Sequence, residues 1–213
     1  MSAAEYYVPA DAGEAEFTEK RSRFLGHVRR VETEEQARAF LDEMRKKYYD
    51  ARHNCWCYIL HDGGVVRYGD DGEPQGTAGQ PMLNVFQREG VENVVCVVTR
   101  YFGGVLLGAG GLTRAYAKSA KDALDAAGKA KMRLWSAVTV DCPYPLLERL
   151  KLLVAAHDGT VEGTDFGAAV SVHLLLPKEN ADGFDAALTE LSAGSMTARR
   201  ERERFLPGAR EKA

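Results

Sequence analysis

The chain has 213 residues and a net charge of −3, and 45% of its residues are hydrophobic. This length and hydrophobic content are enough for one large core or two small ones without stabilising disulfides or metals. No apolar run approaches the about 20 residues that span a bilayer, and no basic-then-apolar leader is present, which predicts a cytoplasmic protein with no membrane partner. The four cysteines lie mostly in apolar, strand-like segments and are expected to be free thiols, and the slightly acidic balance confines any polyanion binding to a local patch.

The first part of the chain is typical of an α+β unit. After a mobile start, residues 16–31 have the composition of one charged strand. Helical spacing follows over residues 33–49, with Thr33 and Gln36 placed as a capping box. The apolar and aromatic run 55–60 and the segment that returns after a Gly-Gly turn predict a hairpin.

The elements that follow lead to a Gly-rich loop. A short helix is predicted over residues 81–90. Residues 94–98 are apolar without alternation, which predicts a strand buried on both faces at the centre of the sheet. Gly103 and Gly104 predict a turn, and a helix is expected from there to Ala127.

The pattern restarts after residues 128–131, which predicts a domain boundary. The expected elements are strand 134–140, helix 145–156, strand 160–164, strand 169–176, helix 182–191 and strand 195–205. This β-α-β-β-α-β order predicts a ferredoxin-like domain. The chain is therefore divided into residues 1–130, residues 131–206 and a polar, frayed tail of residues 207–213.

The Gly-rich stretch from Thr99 to Lys121 is the main candidate for a working site. A Gly-rich loop that leads into a helix presents free N–H groups and about half a unit of positive charge, an arrangement that holds anions. Basic side chains spaced three and four apart extend the charge along one face of that helix. The expected anion-binding or nucleic-acid-binding residues are Lys20, Arg21, Arg23, Arg100, Tyr101, Phe102, Gly103, Gly104, Gly110, Gly111, Arg114 and Lys118.

A structural interpretation of the same residues stays open. The glycines also permit tight packing, and the cations also fit an ordinary solvated helix face. Tyr101 and Phe102 could stack on bases beside the positive charge, but aromatic residues that follow a buried strand also belong to cores.

The acidic loop from Asp70 to Gly79 is a second candidate. Asp70, Asp71 and Glu73 could hold Mg²⁺ next to a bound phosphate, since Mg²⁺ commonly uses one or two carboxylates together with substrate oxygens. Asp-Gly and Glu-Pro also form turns without a metal, and no cofactor is expected.

The third candidate is the segment His53-Asn54-Cys55-Trp56-Cys57 with His61 beyond it. A single strand would spread these His and Cys side chains over about 26 Å at about 3.3 Å per residue, so it cannot supply all four ligands of a zinc site. His53 and Cys55 share one side of a strand and are weak candidates for a base and a nucleophile, with a structural role as the alternative.

Four segments together resemble the IMPACT family, in its bacterial YigZ-like branch: Glu19–Phe24, His53–Trp56, Asp70–Gly79 and Thr99–Tyr116. The resemblance covers almost the whole chain. It implies a sandwich like the second domain of ribosomal protein S5 up to about residue 128, a fold shared with small-molecule kinases, and a C-terminal ferredoxin-like accessory domain. Eukaryotic relatives are translation regulators that act through a domain that this chain is not expected to contain, so their protein partner is not carried over.

Three functions follow from these observations. The favoured one is a non-enzymatic protein that binds RNA or the ribosome through its basic residues and is linked to regulation of translation. The second is an enzyme that acts on a small phosphorylated substrate through the Gly-rich loop with Mg²⁺. The third is a scaffold for an unidentified protein partner. The sequence contains no P-loop, zinc-protease, Gly-x-Ser-x-Gly or dinucleotide motif, which favours binding over catalysis.

Overall fold

A computed structural model describes residues 6–211, and its internal contacts divide the chain into two units. The first unit comprises the chain up to Lys131 together with the segment that follows Leu206, and the second is Met132–Leu206. The strands are β1 (Tyr7–Pro9), β2 (Gly13–Glu19), β3 (Ser22–Arg30), β4 (His53–Leu60), β5 (Val65–Gly69), β6 (Val94–Tyr101), β7 (Lys129–Cys142), β8 (Thr160–Phe166), β9 (Val170–Pro177) and β10 (Ala198–Glu211). The helices are α1 (Glu34–Lys47), α2 (Gly79–Arg88), α3 (Gly108–Ala127), α4 (Leu147–Ala156) and α5 (Ala181–Ser192).

The first unit is built on an antiparallel sheet with the strand order β2-β3-β6-β4-β5. Helices α2 and α3 cover one face of this sheet, where Phe24 and Tyr116 belong to the same core. Helix α1 covers the other face, where Phe40 packs with Val95. Strand β6 is therefore central and buried on both faces, as its unbroken apolar sequence predicts.

Helix α1 begins where the capping pattern predicts. Oγ1 of Thr33 accepts a hydrogen bond of 3.3 Å from the N–H of Gln36. Oε1 of Gln36 accepts a bond of 2.7 Å from the N–H of Glu32, one residue before the cap. The side chains thus satisfy two backbone donors at this end of the helix.

Two expectations for the start of the chain are wrong. Residues 16–31 form two strands, β2 and β3, which turn back at Lys20 and Arg21. The turn lacks the Asn or Gly that usually marks a two-residue hairpin, so the sequence gives no sign of it. The start is also ordered from Tyr6 onward: Tyr6 and Val8 are buried, and β1 pairs with the first residues of β7. Residues 1–5 lie outside the described part.

The second unit has the strand order β10-β7-β9-β8. In terms of the unit's own strands this is 4-1-3-2, and with helices α4 and α5 packed on one face it is the ferredoxin-like arrangement that the sequence predicts. The α+β fold class is confirmed. Within residues 6–211, no helix combines the length and apolar character that crossing a membrane requires.

The expected frayed tail is wrong for residues 207–211. Strand β10 continues to Glu211, so these residues are extended, paired backbone. Arg210 donates a 2.8 Å hydrogen bond to the carbonyl oxygen of Ala126 at the end of α3. A polar composition therefore does not prevent this segment from joining the first unit, because its backbone and side-chain donors find acceptors there. Residues 212–213 lie outside the described part.

Candidate functional site

The end of β6 collects the residues that the sequence separates. In the register of the sheet, Arg100 of β6 lies between Phe24 of β3 and His53 of β4. All three are on the face that carries α2 and α3, since alternate residues of a strand share a face. The long loop between β5 and α2 adds Glu73 next to them, and α3 adds Tyr116.

Arg100 and Glu73 form a buried ion pair. Nη1 of Arg100 donates a bond of 2.6 Å to Oε1 of Glu73, and the exposed fractions of the two side chains are 6% and 4%. Tyr116 donates a bond of 2.8 Å to the same oxygen, and burial raises the pKa of its phenol far above the ordinary value. Nη2 of Arg100 donates to Oγ of Ser22 at 3.2 Å. The predicted phosphate ligand Arg100 is therefore held inside the unit, where its charge is already balanced.

The aspartates of the acidic loop accept hydrogen bonds from backbone N–H groups and so stabilise the fold of the loop. Asp70 accepts hydrogen bonds from the N–H groups of Gly76, Ala78 and Gly79 at 2.8, 3.1 and 2.8 Å, and so serves the first turn of α2. Asp71 accepts a bond of 2.7 Å from the N–H of Asn54. Within the described residues, no group of three or more His, Cys, Asp or Glu side chains is arranged to hold a metal.

His53 and Cys55 share a strand face but make separate contacts. Nδ1 of His53 lies 2.9 Å from the carbonyl oxygen of Asp71, which can only accept, so this nitrogen carries the proton. Sγ of Cys55 donates to the carbonyl oxygen of Asp70 at 2.9 Å. Burial raises the pKa of the Cys55 thiol well above its ordinary value, which suppresses the nucleophilic thiolate.

The Gly-rich loop brings the start of α3 to the surface. Gly108, Ala109 and Gly110 are exposed, and no side chain caps the helix. Its first N–H groups therefore face solvent with the positive end of the helix dipole. Gly104 has a φ of 83° and no neighbour where a side chain would project, whereas a Cβ at Gly103 would lie 2.0 Å from the carbonyl carbon and oxygen of Arg21. Gly103 is needed because a larger residue would prevent the hairpin turn at Arg21 from lying this close to the Gly-rich loop.

The aromatic residues of the loop diverge. Tyr101 donates a bond of 2.7 Å to Asp50, in the turn that follows α1. Phe102 is 45% exposed, and its ring centroid lies 5.5 Å from the guanidinium carbon of Arg100. Phe102 thus remains accessible next to the start of α3, while Tyr101 is held by its hydrogen bond.

Some of the predicted basic residues are neutralised and others are not. Arg23 makes bonds of 2.6 and 3.1 Å to Glu16, and Lys118 pairs with Asp122 on the next turn of α3. Around the start of α3 and the ends of the strands beside it, four exposed cations make no ion pair or side-chain hydrogen bond within residues 6–211: Lys20, Arg21, Arg52 and Arg114. Arg52 was missed by sequence reasoning, and its position directly before the His53 segment was the only available signal.

Two clefts adjoin the start of α3. The first, of about 160 Å³, is lined by Phe17, Glu19, Lys20, Leu107, Gly111, Arg114, Ala115 and Lys118, and is called the basic cleft below. The second, of about 350 Å³, is lined by Arg52, His53, Glu73, Pro74, Arg100, Phe102, Leu106, Leu107, Gly108, Ala109 and Leu112, and is called the aromatic cleft. The structure thus places Lys20, Gly111, Arg114 and Lys118 around one cleft, and Arg100 and Phe102 around the other.

Comparison with known proteins matches residues 20–124 to the Impact N-terminal domain and residues 140–195 to a Domain of unknown function (DUF1949). The IMPACT family member YvyE of Bacillus subtilis (strain 168) is 34% identical over 190 residues, which cover 89% of this chain and 88% of that protein. The chain belongs to the IMPACT family. The IMPACT family member YigZ of Escherichia coli (strain K12) is 35% identical over 180 residues, 83% of this chain and 88% of that protein.

Two further comparisons differ in how much of the chain they cover. The Protein IMPACT homolog of Dictyostelium discoideum is 38% identical over 96 residues, 43% of this chain and 27% of that protein. A solved crystal structure of a hypothetical protein, 32% identical, covers 94% of this chain and 98% of its own with a TM-score of 0.58. The Impact N-terminal match spans residues 20–124 and therefore includes His53, Glu73, Arg100 and the start of α3.

Proposed function

We propose that this chain is an RNA-binding protein whose basic cleft contacts RNA phosphates, and that it acts on the translation machinery. The observation that carries the proposal is the placement of Lys20 and Arg114. Both line the basic cleft beside Gly111, and neither side chain has a partner within residues 6–211. Unpaired cations next to an uncapped helix N-terminus are the groups that hold phosphate.

Backbone strain in the hairpin turn supports this assignment. Lys20 and Arg21 have φ angles of 44° and 68°, a region that costs most residues about 1–2 kcal/mol. Such a turn favours Asn-Gly, yet here it presents two cations without partners in the described chain. Strain held at a site often has a functional role, and phosphate contact is the role that the chemistry of these two residues fits.

The second unit offers a weaker rival surface. Strand β10 is rich in arginine, but most of these charges are balanced inside the unit. Arg199 pairs with Asp141, Arg200 with Asp182 and Asp185, and Arg204 with Glu162. These exposed pairs lower the phosphate affinity of β10 only modestly, and the first unit is the better candidate because its unpaired cations adjoin an uncapped helix N-terminus.

The link to translation comes from the family relationship. The resemblance of the sequence to the IMPACT family implies an association with RNA or the ribosome, and the Impact N-terminal match covers most of the basic cleft. The cleft supplies the positive charge that such a role needs in a chain whose net charge is −3.

The test is binding of labelled ribosomal, transfer and unrelated RNA across a salt series. A Lys20→Ala/Arg114→Ala variant should bind RNA about tenfold more weakly at low salt. Its log-log salt slope should be smaller by about 1.4, since each lost phosphate contact on a single strand changes the slope by about 0.7.

The matched control is Lys46→Ala/Arg149→Ala. It removes the same two residue types from exposed positions that also make no ion pair within the described chain. Equal losses in the two variants would mean that only net charge matters and would contradict the basic cleft. No salt-dependent binding by the unaltered protein would contradict RNA binding and favour a protein scaffold or a small phosphorylated substrate.

A further inference from the structure

The aromatic cleft lies at the start of α3 and differs in character from the basic cleft. Its walls combine apolar side chains with a few polar groups, the composition that small-molecule sites have. Its volume of about 350 Å³ is at the lower end of the about 300–1,000 Å³ that is typical of ligand pockets. We infer that the aromatic cleft binds one unstacked nucleotide, with the phosphate at the start of α3 and the base against Phe102. The inference rests on the proposed function in so far as that nucleotide belongs to a bound RNA.

The polar end of the cleft can hold a phosphate. Gly108 and Ala109 line it at the uncapped, exposed start of a 20-residue helix, where the free N–H groups lie. Arg52 lines the same cleft, and its side chain makes no ion pair within residues 6–211. The charges of Arg100 and Glu73 cancel, so Arg52 and the start of α3 are the positive groups that remain in the lining of this cleft.

Arg100 forms a fixed wall of the cleft. It lines the cleft and is 5% exposed. Nη1 and Nη2 are bonded to Glu73 and Ser22, but Nε has no hydrogen-bond partner among the described residues. A buried donor without a partner costs about 1–3 kcal/mol, so such groups are rare unless a water or ligand completes them. Because Nε is itself enclosed, a ligand in the cleft contacts it only if the Arg100 side chain shifts.

Phe102 provides the surface for a base. Its ring centroid lies 5.5 Å from the guanidinium carbon of Arg100, which also lies 5.5 Å from the ring centroid of Phe24. Arg100 is thereby in contact with both rings, while Phe102 remains 45% exposed. Leu106 and Leu107 continue the apolar wall beside it. A partly exposed aromatic ring next to a fixed cation is a platform on which bases stack.

His53 can contact the polar edge of a bound base or ribose. Because Nδ1 donates to the carbonyl of Asp71, Nε2 is the ring nitrogen left to contact a ligand, and it lies 4.0 Å from Oε1 of Glu73. Both residues line the cleft. They can contact an amino group of a base or a ribose hydroxyl, whereas the start of α3 presents N–H donors to a phosphate. This polarity matches a nucleoside monophosphate.

The experiment measures calorimetric binding of AMP, adenosine and inorganic phosphate, and in parallel the binding of single-stranded RNA across a salt series. The unaltered protein should bind AMP more tightly than either fragment. Phe102→Ala should weaken the binding of AMP and of single-stranded RNA by between about 5-fold and 150-fold, the effect of losing one base–aromatic stack. Its salt slope should stay unchanged, because no charge is removed, and this separates it from the Lys20→Ala/Arg114→Ala variant.

Two further variants serve as controls. Phe166→Ala removes a phenylalanine that is 67% exposed in the second unit, and it should leave AMP and RNA binding unchanged. Arg52→Ala alters an exposed side chain and should weaken AMP but not adenosine, which tests the phosphate end even if Phe102→Ala does not fold.

The outcomes distinguish this inference from the proposed function. If Phe102→Ala and Arg52→Ala leave AMP and RNA binding intact, the nucleotide pocket is wrong, while RNA binding that depends on Lys20 and Arg114 still stands. If AMP binding depends on Phe102 but the unaltered protein does not bind RNA, the cleft is a site for a free nucleotide and the proposed function is wrong. Competition between AMP and single-stranded RNA identifies the RNA strand as the source.

Discussion

Nη1 of Arg100 lies 2.6 Å from Oε1 of Glu73, and this ion pair joins the central strand to the acidic loop inside the first unit. The sequence offered Arg100 as an anion ligand and Glu73 as a Mg²⁺ ligand, but in the structure each has the other as its partner. Arg100 supports the site from within, and the Glu73 carboxylate is shared between Arg100 and Tyr116. In the proposed function, the contacts with RNA fall to cations that the fold does not neutralise.

The first prediction concerns this pair. Arg100→Ala should lower the free energy of unfolding by about 3–5 kcal/mol, because it leaves the Glu73 carboxylate buried without its cation. Urea unfolding measures the change. Arg52→Ala, an exposed arginine of the same cleft, should change stability by less than about 0.5 kcal/mol. The Arg100→Ala/Glu73→Ala double variant should lose less than the sum of the two single variants. Additive losses would show that the two side chains are not coupled.

The second prediction compares two neighbouring glycines. Gly103→Ala should cost about 3 kcal/mol, because its Cβ would lie 2.0 Å from backbone atoms of Arg21 and would displace the hairpin. Gly104→Ala should cost only about 1–2 kcal/mol, since its φ of 83° is strained for alanine but its surroundings are open. Thermal or urea unfolding of both variants measures the difference. Equal losses would mean that the turn and the loop are not in tight contact.

The third prediction separates stability from binding at the hairpin turn. Lys20→Asn/Arg21→Gly installs the residues that a turn with two positive φ angles favours, and should raise the free energy of unfolding by up to about 1 kcal/mol. The same variant should bind RNA more weakly and with a smaller salt slope, because two cations are lost. Unfolding and RNA titrations are run on the same preparation. A more stable variant with unchanged RNA affinity would show that Lys20 and Arg21 do not contact RNA.

The fourth prediction concerns pH. Burial lowers the pKa of His27, and the nearby Glu14 carboxylate only partly opposes this effect. The folded protein therefore holds His27 neutral, while in the unfolded chain its pKa is near 6.5. As pH falls through about 6.5, the unfolded chain takes up this proton first, so the free energy of unfolding decreases. The free energy of unfolding continues to decrease until the pH reaches the lowered pKa of His27 in the folded protein.

The comparison that checks this effect is between the unaltered protein and His27→Gln. Urea unfolding at several pH values from about 8 down to about 5 should show a steeper loss of stability for the unaltered protein. The glutamine side chain of the variant does not titrate, so any pH dependence that the variant retains comes from other residues. Parallel curves for the two proteins would rule out His27 as a source of acid sensitivity.

Local patterns predict much of the fold. The apolar run of β6, the capping pair at Thr33 and the βαββαβ order of the second unit all rest on periodicity and turn residues that lie close together in sequence. Such signals can be read without knowledge of the partners, because each strand or helix has to bury its own apolar face. The Gly-rich loop and the start of α3 are located in the same way.

Only the tertiary structure decided which charged side chains make ion pairs and which do not. Arg100 and Arg114 look alike in the sequence, yet the first faces the core beside Glu73, 27 positions earlier in the chain, and the second faces solvent. The sequence could not show this, because ion pairing depends on strand register and on where a long loop folds back. The hairpin turn at Lys20 was missed for a related reason, since its residues contradict the local preference of the turn. Local sequence determined the elements of this protein, and contacts between residues distant in the chain determined its site.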